Sequence, residues 1–157
     1  MKLLSNSFSD GGTIDNKYAM KAIPGGQNLS PHLHIEDVPP ETKSLAVVCV
    51  DRHPVANNWV HWLAVNISPD VKEIPEGASG TAMPGYTLEL DNTFGFQGYG
   101  GPHPPAGTGV HDYEFTVYAL TASFKAEETQ VSEKKFLSLV EGKVAAKATL
   151  TAGLENK

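Results

Sequence analysis

The chain has a single cysteine among 157 residues, which rules out an intrachain disulfide framework. Cys49 lies inside the apolar run Ala46-Val47-Val48-Cys49-Val50, where the expected state is a buried, unreactive thiol. No stretch approaches the roughly 18–20 consecutive apolar residues that span a bilayer. The opening Met1-Lys2-Leu3-Leu4 is too short for the apolar part of a signal peptide. A soluble, cytoplasmic chain without integral membrane contact is the expectation. Charge is scarce as well. Charged residues make 19% of the chain, below the roughly 25% of ordinary soluble proteins. The net charge of −6 sets the overall field against nucleic acid and anionic lipid. Enzyme motifs are missing too. Gly77-Ala78-Ser79-Gly80-Thr81 ends in Thr where a nucleophile elbow needs Gly. The glycines of Gly95–Gly101 lead into prolines rather than into a helix opening with Lys and Ser or Thr. No enzymatic activity and no cofactor are expected.

Glycine and proline are abundant: 15 and 11, together 26 of 157 residues, or about 17% against roughly 12% on average. That excess implies many turns between short strands, and the length implies one domain over residues 1–157. Ser44–Asp51 reads as a buried strand, with Leu45, Val47, Cys49 and Asp51 on one face. Trp59–Ile67 reads as a central strand; strict alternation puts Trp59, His61, Leu63, Val65 and Ile67 on one face and Val60, Trp62 and Ala64 on the other. His111–Leu120 alternates in the same way, with His111, Tyr113, Phe115, Val117 and Ala119 together. Ser68–Tyr86 and Gly95–Val110 read as loops, and Thr87–Phe94 as a weak strand. Near the end, Ser132 can cap a helix from about Glu133 to Lys147, whose Phe136, Val140, Val144 and Ala148 recur every four residues. Thr149–Thr151 is left as a short last strand. The picture is mostly β with one helix laid on a sheet.

Two loops carry the chemistry. The first is Asp51-Arg52-His53-Pro54, which leads to Trp59-Val60-His61-Trp62. The second is Tyr99-Gly100-Gly101-Pro102-His103-Pro104-Pro105, which leads to His111-Asp112-Tyr113. If the first two strands pair as a hairpin, Asp51 and His61 fall on one face within diagonal reach. A carboxylate there would hold one nitrogen of His61 and raise its pKa, leaving the other as a charge-assisted donor to an anion. His111 and the Tyr113 hydroxyl would complete the site. Gly98, Gly100 and Gly101 would let a ligand approach the backbone, with N–H groups of Gly100, Gly101 and His103 forming an anion nest. His32 and His34 share a strand face and with His53 raise a metal site, but no Cys or carboxylate cluster completes the ligand set, so no metal is expected. Asp112 points outward. Trp59 and Trp62 read as core and pocket wall.

These residues resemble the phosphatidylethanolamine-binding protein family, which includes the Raf kinase inhibitor proteins and their bacterial and archaeal relatives. The likeness runs through Asn28-Leu29-Ser30-Pro31, Val38-Pro39, Lys43-Ser44-Leu45-Ala46, the Asp51 loop and Val60-His61-Trp62. It continues through Asn92-Thr93-Phe94-Gly95, Gly98-Tyr99-Gly100-Gly101-Pro102 with Pro104-Pro105, and His111 with Tyr113 and Val117-Tyr118-Ala119-Leu120. It implies a β-sandwich with a large antiparallel central sheet, a helix packed near the C-terminal end, and a pocket for phosphate-like anions. Onto this chain it carries Asp51, His61, Pro105, His111 and Tyr113 as pocket residues and Gly101 and His103 as rim. His53, Trp62 and Tyr99 are further candidates. The resemblance also raises a homodimer, and an alternative role as an inhibitor of a protein kinase or serine protease acting through its surface. Hydrolysis of a phospho- or acyl ester with His61 as base is a third, weaker idea. Two departures stand out. Arg52-His53 replaces the family's second loop carboxylate, so an ethanolamine ammonium loses a partner and plain phosphorylated ligands are favoured. Asp112 stands where relatives carry Arg, on the outward face.

Overall fold

The computed structural model describes residues 1–125 and 132–157. In chain order the strands are β1 (Lys2–Leu4), β2 (Gly12–Thr13), β3 (Leu33–Glu36), β4 (Ser44–Asp51), β5 (Trp59–Ile67), β6 (Glu73–Ile74), β7 (Leu88–Glu89), β8 (Val110–Leu120) and β9 (Val144–Glu155), with helix α1 (Glu133–Val140) before β9. Six strands form the large sheet in the order β2-β9-β8-β4-β5-β7, and β1-β3-β6 form a small one. Pairing in the large sheet is antiparallel except for β2, which runs parallel to β9 at the edge.

All eight residues of β4 are buried, because both faces of the large sheet are covered. On one face Leu45, Val47, Cys49, Phe115 and Val117 pack with Leu33, Ile35 and Ile74 of the small sheet. On the other, Ala46, Val48, Leu63 and Val65 pack with Phe136 and Val140 of α1. The Phe136 ring sits 5.3 Å from Tyr118 and 5.8 Å from Phe124. A β-sandwich backed by one helix is therefore the architecture.

Three sequence readings need correction. The helix stops at Val140, not at Lys147, because Gly142 takes a left-handed conformation (φ +75°) and turns the chain. Val144–Glu155 is then a twelve-residue strand along β8, in continuous register from Ala146 to Glu155 and with one bulge at Ala145. Val144 and Ala148 continue the four-residue spacing only by coincidence. The weak strand at Thr87–Phe94 shrinks to Leu88–Glu89.

The third correction concerns β5. Its register against β4 pairs Cys49 with Trp62 but Val50 with Val60, leaving His61 as an extra residue. A further shift lies between Leu45 and Val47, where Asn66 has φ +59°. These bulges break the strict alternation. His61, Trp62, Ala64 and Ile67 face the sandwich interior, while Val60, Leu63 and Val65 face α1. The first bulge turns the His61 ring toward the end of the sheet.

On the small sheet, His34 spans two carboxylates, with Nδ1 2.5 Å from Glu73 Oε1 and Nε2 2.9 Å from Glu36 Oε1. Glu36 and then Glu73 hold His34 above its ordinary 6.5, and His32 and then His34 hold Glu73 below its ordinary 4.5. A raised imidazole stabilises fully below 6.5, and that contribution is lost as pH rises through the folded value. A lowered carboxylate stabilises fully above 4.5, and its contribution is lost as pH falls through the folded value. The clamp is therefore complete between about pH 4.5 and 6.5. Melting His34→Gln beside wild type across pH should give the largest difference in that window and a smaller one on either side. A flat difference would contradict the clamp.

Candidate functional site

At one end of the large sheet the last residue of β4, the bulge of β5 and the first residues of β8 converge under the loop 94–105. They enclose a cavity of about 240 Å³ lined by Asp51, His61, His103, Pro104, Pro105 and His111 on its polar and loop sides, and by Val55, Ala56, Trp59 and Phe94 on its apolar side. That volume falls below the 300–1,000 Å³ of drug-sized sites and suits a small head group.

Asp51 is 3% exposed and His111 fully buried. The carboxylate meets His111, Nδ1 lying 2.6 Å from Asp51 Oδ2, while Oδ1 accepts the backbone N–H of His53 at 2.9 Å. The expected Asp51–His61 bond is thus replaced by Asp51–His111. The cause is register: Asp51 stands opposite Tyr113 on β8, two residues from His111, and opposite Trp59 on β5. His61 instead donates Nδ1–H to the Gly100 carbonyl at 2.6 Å. Burial is the main influence on it and lowers its pKa, against the opposing pull of that carbonyl and of Asp51. The ring that was expected to carry charge is held neutral, with its lone pair on Nε2.

His111 has its other nitrogen engaged as well, since Nε2 lies 2.8 Å from the Thr108 hydroxyl, which itself donates to the Pro105 carbonyl at 2.7 Å. Asp51, His111 and Thr108 form a hydrogen-bonded chain, but unlike the hydroxyl of a hydrolase triad that of Thr108 directs its proton away from the imidazole. The two glycine N–H groups that might have served as oxyanion donors beside it are already bonded, Gly100 to the His61 carbonyl at 2.8 Å and Gly101 to Asn28 Oδ1 at 2.7 Å. The expected nest loses two of its three donors in the same way. Tyr113 is fully buried with its ring 5.1 Å from His61, and its hydroxyl faces the Asp51 carboxylate, its neighbouring acceptor, without a bond of good geometry. Burial, then Asp51, push the phenol upward, so it stays a neutral donor.

Of the sequence candidates, Asp51, His61, His103, Pro105 and His111 line the cavity. His53 lies beside it, stacked on His111 with ring centroids 3.9 Å apart. Gly101, Trp62 and Tyr99 serve the frame instead. Gly101 is pressed against the Tyr18–Met20 backbone, Trp62 is buried beside Tyr99, and the Tyr99 hydroxyl donates to the Tyr18 carbonyl at 2.9 Å. Sequence reading missed Val55, Ala56, Phe94, Pro104 and Thr108. Phe94 and Pro104 lie in segments that carried the family likeness, and a hydroxyl residue between Gly107 and Gly109, three places before His111, was the available signal for Thr108. His53 also lies away from the grouping once drawn with His32 and His34. Those two meet Glu73, and His32 Nδ1 accepts the Asn6 N–H at 2.9 Å. Among the described residues no cluster of three His, Cys, Asp or Glu side chains is placed to hold a metal. No helix there is long and apolar enough to cross a membrane.

Comparison with known proteins covers nearly the whole chain. The family model described as phosphatidylethanolamine-binding protein matches residues 4–155. The UPF0098 protein YbhB of Escherichia coli is 42% identical over 124 residues, spanning 76% of this chain and 78% of that one. A UPF0098 protein of Methanothermobacter thermautotrophicus is 36% identical over 151 residues, covering 96% and 95%. Among solved structures, E. coli YbcL, described as a new member of the mammalian PEBP family, superposes with a TM-score of 0.90 at 31% identity and covers 99% of this chain and 98% of its own. A carboxypeptidase Y inhibitor crystallised with its cognate proteinase shares the fold, with a TM-score of 0.63 at 14% identity, covering 99% and 83%.

Proposed function

Because the chain belongs to the phosphatidylethanolamine-binding protein family, we propose that it is a small-ligand-binding protein whose pocket takes phosphate or the phosphoryl group of a small molecule. The observation that carries this reading is the convergence of Asp51, His61 and His111 on one small cavity at the end of the sheet. A ligand oxygen would sit between His61 and His111, and Val55, Trp59 and Phe94 would cover the organic part. His53, stacked on His111, supplies no negative charge where a carboxylate would meet an ammonium. The pocket is accordingly read as favouring plain phosphorylated anions over an ethanolamine zwitterion, by a small margin. The binding role is non-enzymatic and cytoplasmic in this proposal. The alternative of surface inhibition of a kinase or protease draws on the carboxypeptidase Y inhibitor comparison only through shared fold.

The test is an NMR titration of the six imidazoles with inorganic phosphate and with O-phosphoethanolamine. His61 and His111 should shift saturably, His53 and His103 less, and His32 and His34 not at all. The two ligands should bind within about threefold of each other, since one exposed charge contact contributes under about 1 kcal/mol. Uniform shifts at all six rings, or none, would remove the anion pocket.

A further inference from the structure

Of the three histidines that line the cavity, the two buried ones differ: both nitrogens of His111 are engaged by side chains, whereas among the described residues the hydrogen bond of the His61 ring runs from Nδ1. Because the Gly100 carbonyl can only accept, Nδ1 must carry the proton, and Nε2 is left as a bare lone pair on a ring that lines the cavity. We propose that His61 Nε2 is a proton acceptor that makes this pocket select anions bearing an ionisable proton, such as phosphate monoesters, over proton-free anions such as sulfate esters. This rests on the anion-pocket reading above and adds the ligand's protonation state to it.

The surroundings make this acceptor discriminating. Asp51 faces His61 from β4, His111 and Tyr113 from β8, and His103 from the loop. Phe94 lies edge-on to the ring at 5.4 Å and shields it from water. A dianion entering here would place its oxygens against the His61 lone pair and near the Asp51 carboxylate, two acceptors facing acceptors. A hydrogen phosphate ester avoids the conflict by donating its P–O–H to Nε2. The proton can sit on either side of that hydrogen bond, and the count is the same: the complex holds one more proton than the free dianion and the neutral ring. A sulfate ester has no proton to give near neutral pH, so Nε2 stays unsatisfied or must be protonated from solvent against burial. A site that loses a required hydrogen bond discriminates strongly.

Methyl phosphate and methyl sulfate match in shape and differ in this proton. Isothermal calorimetry at pH 6 should show methyl phosphate binding at least about tenfold tighter. As the second ionisation of a phosphate monoester lies near 6, affinity should fall toward tenfold per pH unit above about pH 7. In buffers of different ionisation heat, uptake at pH 8 should approach one proton per ligand. His61→Asn keeps an amide donor for Gly100 and removes the pocket-facing nitrogen; its selectivity should drop to within about twofold and its proton uptake should vanish. The wild-type proton count stands whether or not that variant folds. Equal binding of both esters with no proton uptake overturns the inference and leaves the anion pocket intact. Selectivity and uptake surviving in a folded His61→Asn variant overturn the assignment to His61. Failure of both esters to bind wild type overturns the pocket reading and the inference together.

Discussion

Gly101→Ala is expected to abolish stable folding, or to lower stability by more than about 4 kcal/mol, although it adds one methyl to a residue that touches no ligand. A Cβ there would lie 2.2 Å from the Tyr18 carbonyl oxygen, 2.9 Å from the Ala19 carbonyl carbon and 3.0 Å from the Met20 nitrogen. All three are backbone atoms, so no rotamer change relieves the contact. Two hydrogen bonds tie the same two segments, Met20 N–H to the Pro102 carbonyl at 2.9 Å and the Tyr99 hydroxyl to the Tyr18 carbonyl at 2.9 Å, and Gly101 N–H to Asn28 Oδ1 at 2.7 Å anchors the loop nearby. Moving the segments apart by about an ångström would cost these as well. With a typical total stability of about 5–15 kcal/mol, that loss is most of the margin. Gly100→Ala is the informative contrast. Its Cβ would meet the Phe94 ring at 2.6 Å and the Phe96 ring at 3.1 Å, and side chains can swing away. That variant should fold, with the Phe94 wall of the cavity displaced. Urea unfolding of both proteins decides. Comparable, small losses would show that the loop yields more easily than the packing implies.

His111→Phe is expected to destabilise by about 3–5 kcal/mol, because it strands the Asp51 carboxylate in a buried site without its partner. The ring volume is kept, and the stack on His53 at 3.9 Å survives, so lost packing is not the cause. Adding Asp51→Leu should return most of the stability, since an apolar pair of similar size can replace a buried polar one. The loss of the His53 N–H bond to Asp51 limits the recovery by about 1 kcal/mol. For a chain of this length the single variant should melt about 10 °C lower, and neither variant should bind phosphate. A double variant no more stable than the single one would mean that the pair is not what His111 contributes.

The strands that form the sheet were legible because β4, β5 and β8 are continuous apolar runs ended by polar or Gly-Pro-rich loops, and their bounds at Ser44, Asp51, Trp59 and Ile67 need no adjustment. The helix was overextended because Val144 and Ala148 mimic a helical stripe across Gly142, and periodicity alone gives no weight to an open β8 edge waiting for a partner. The pocket members were legible as residue types at strand ends; their connections were not. Strict alternation cannot see a bulge, and the bulge in β5 together with the β8 register gives Asp51 to His111 and the Gly100 carbonyl to His61. The glycines of the second loop looked like room for a ligand. At Gly100 and Gly101 the room is taken by Phe94 and by the Tyr18–Met20 backbone.

The place of β9 bears on how the molecule is assembled. It follows every other strand in the chain, yet it lies inside the large sheet, between β8 and β2. Until it has been synthesised, β8 presents an unpaired edge from Val110 to Leu120, and β2 has nothing to dock on. Nascent chains that stop short of residue 144 carry a long sticky edge of the kind that seeds aggregation. The partnership of β2 with β9 joins residues 12–13 to 152–153, so closure waits on contacts of great sequence separation, which slow folding. Birth of the protein on the ribosome is therefore its period of greatest vulnerability, and chaperone binding should concentrate on chains in which β8 has emerged and β9 has not.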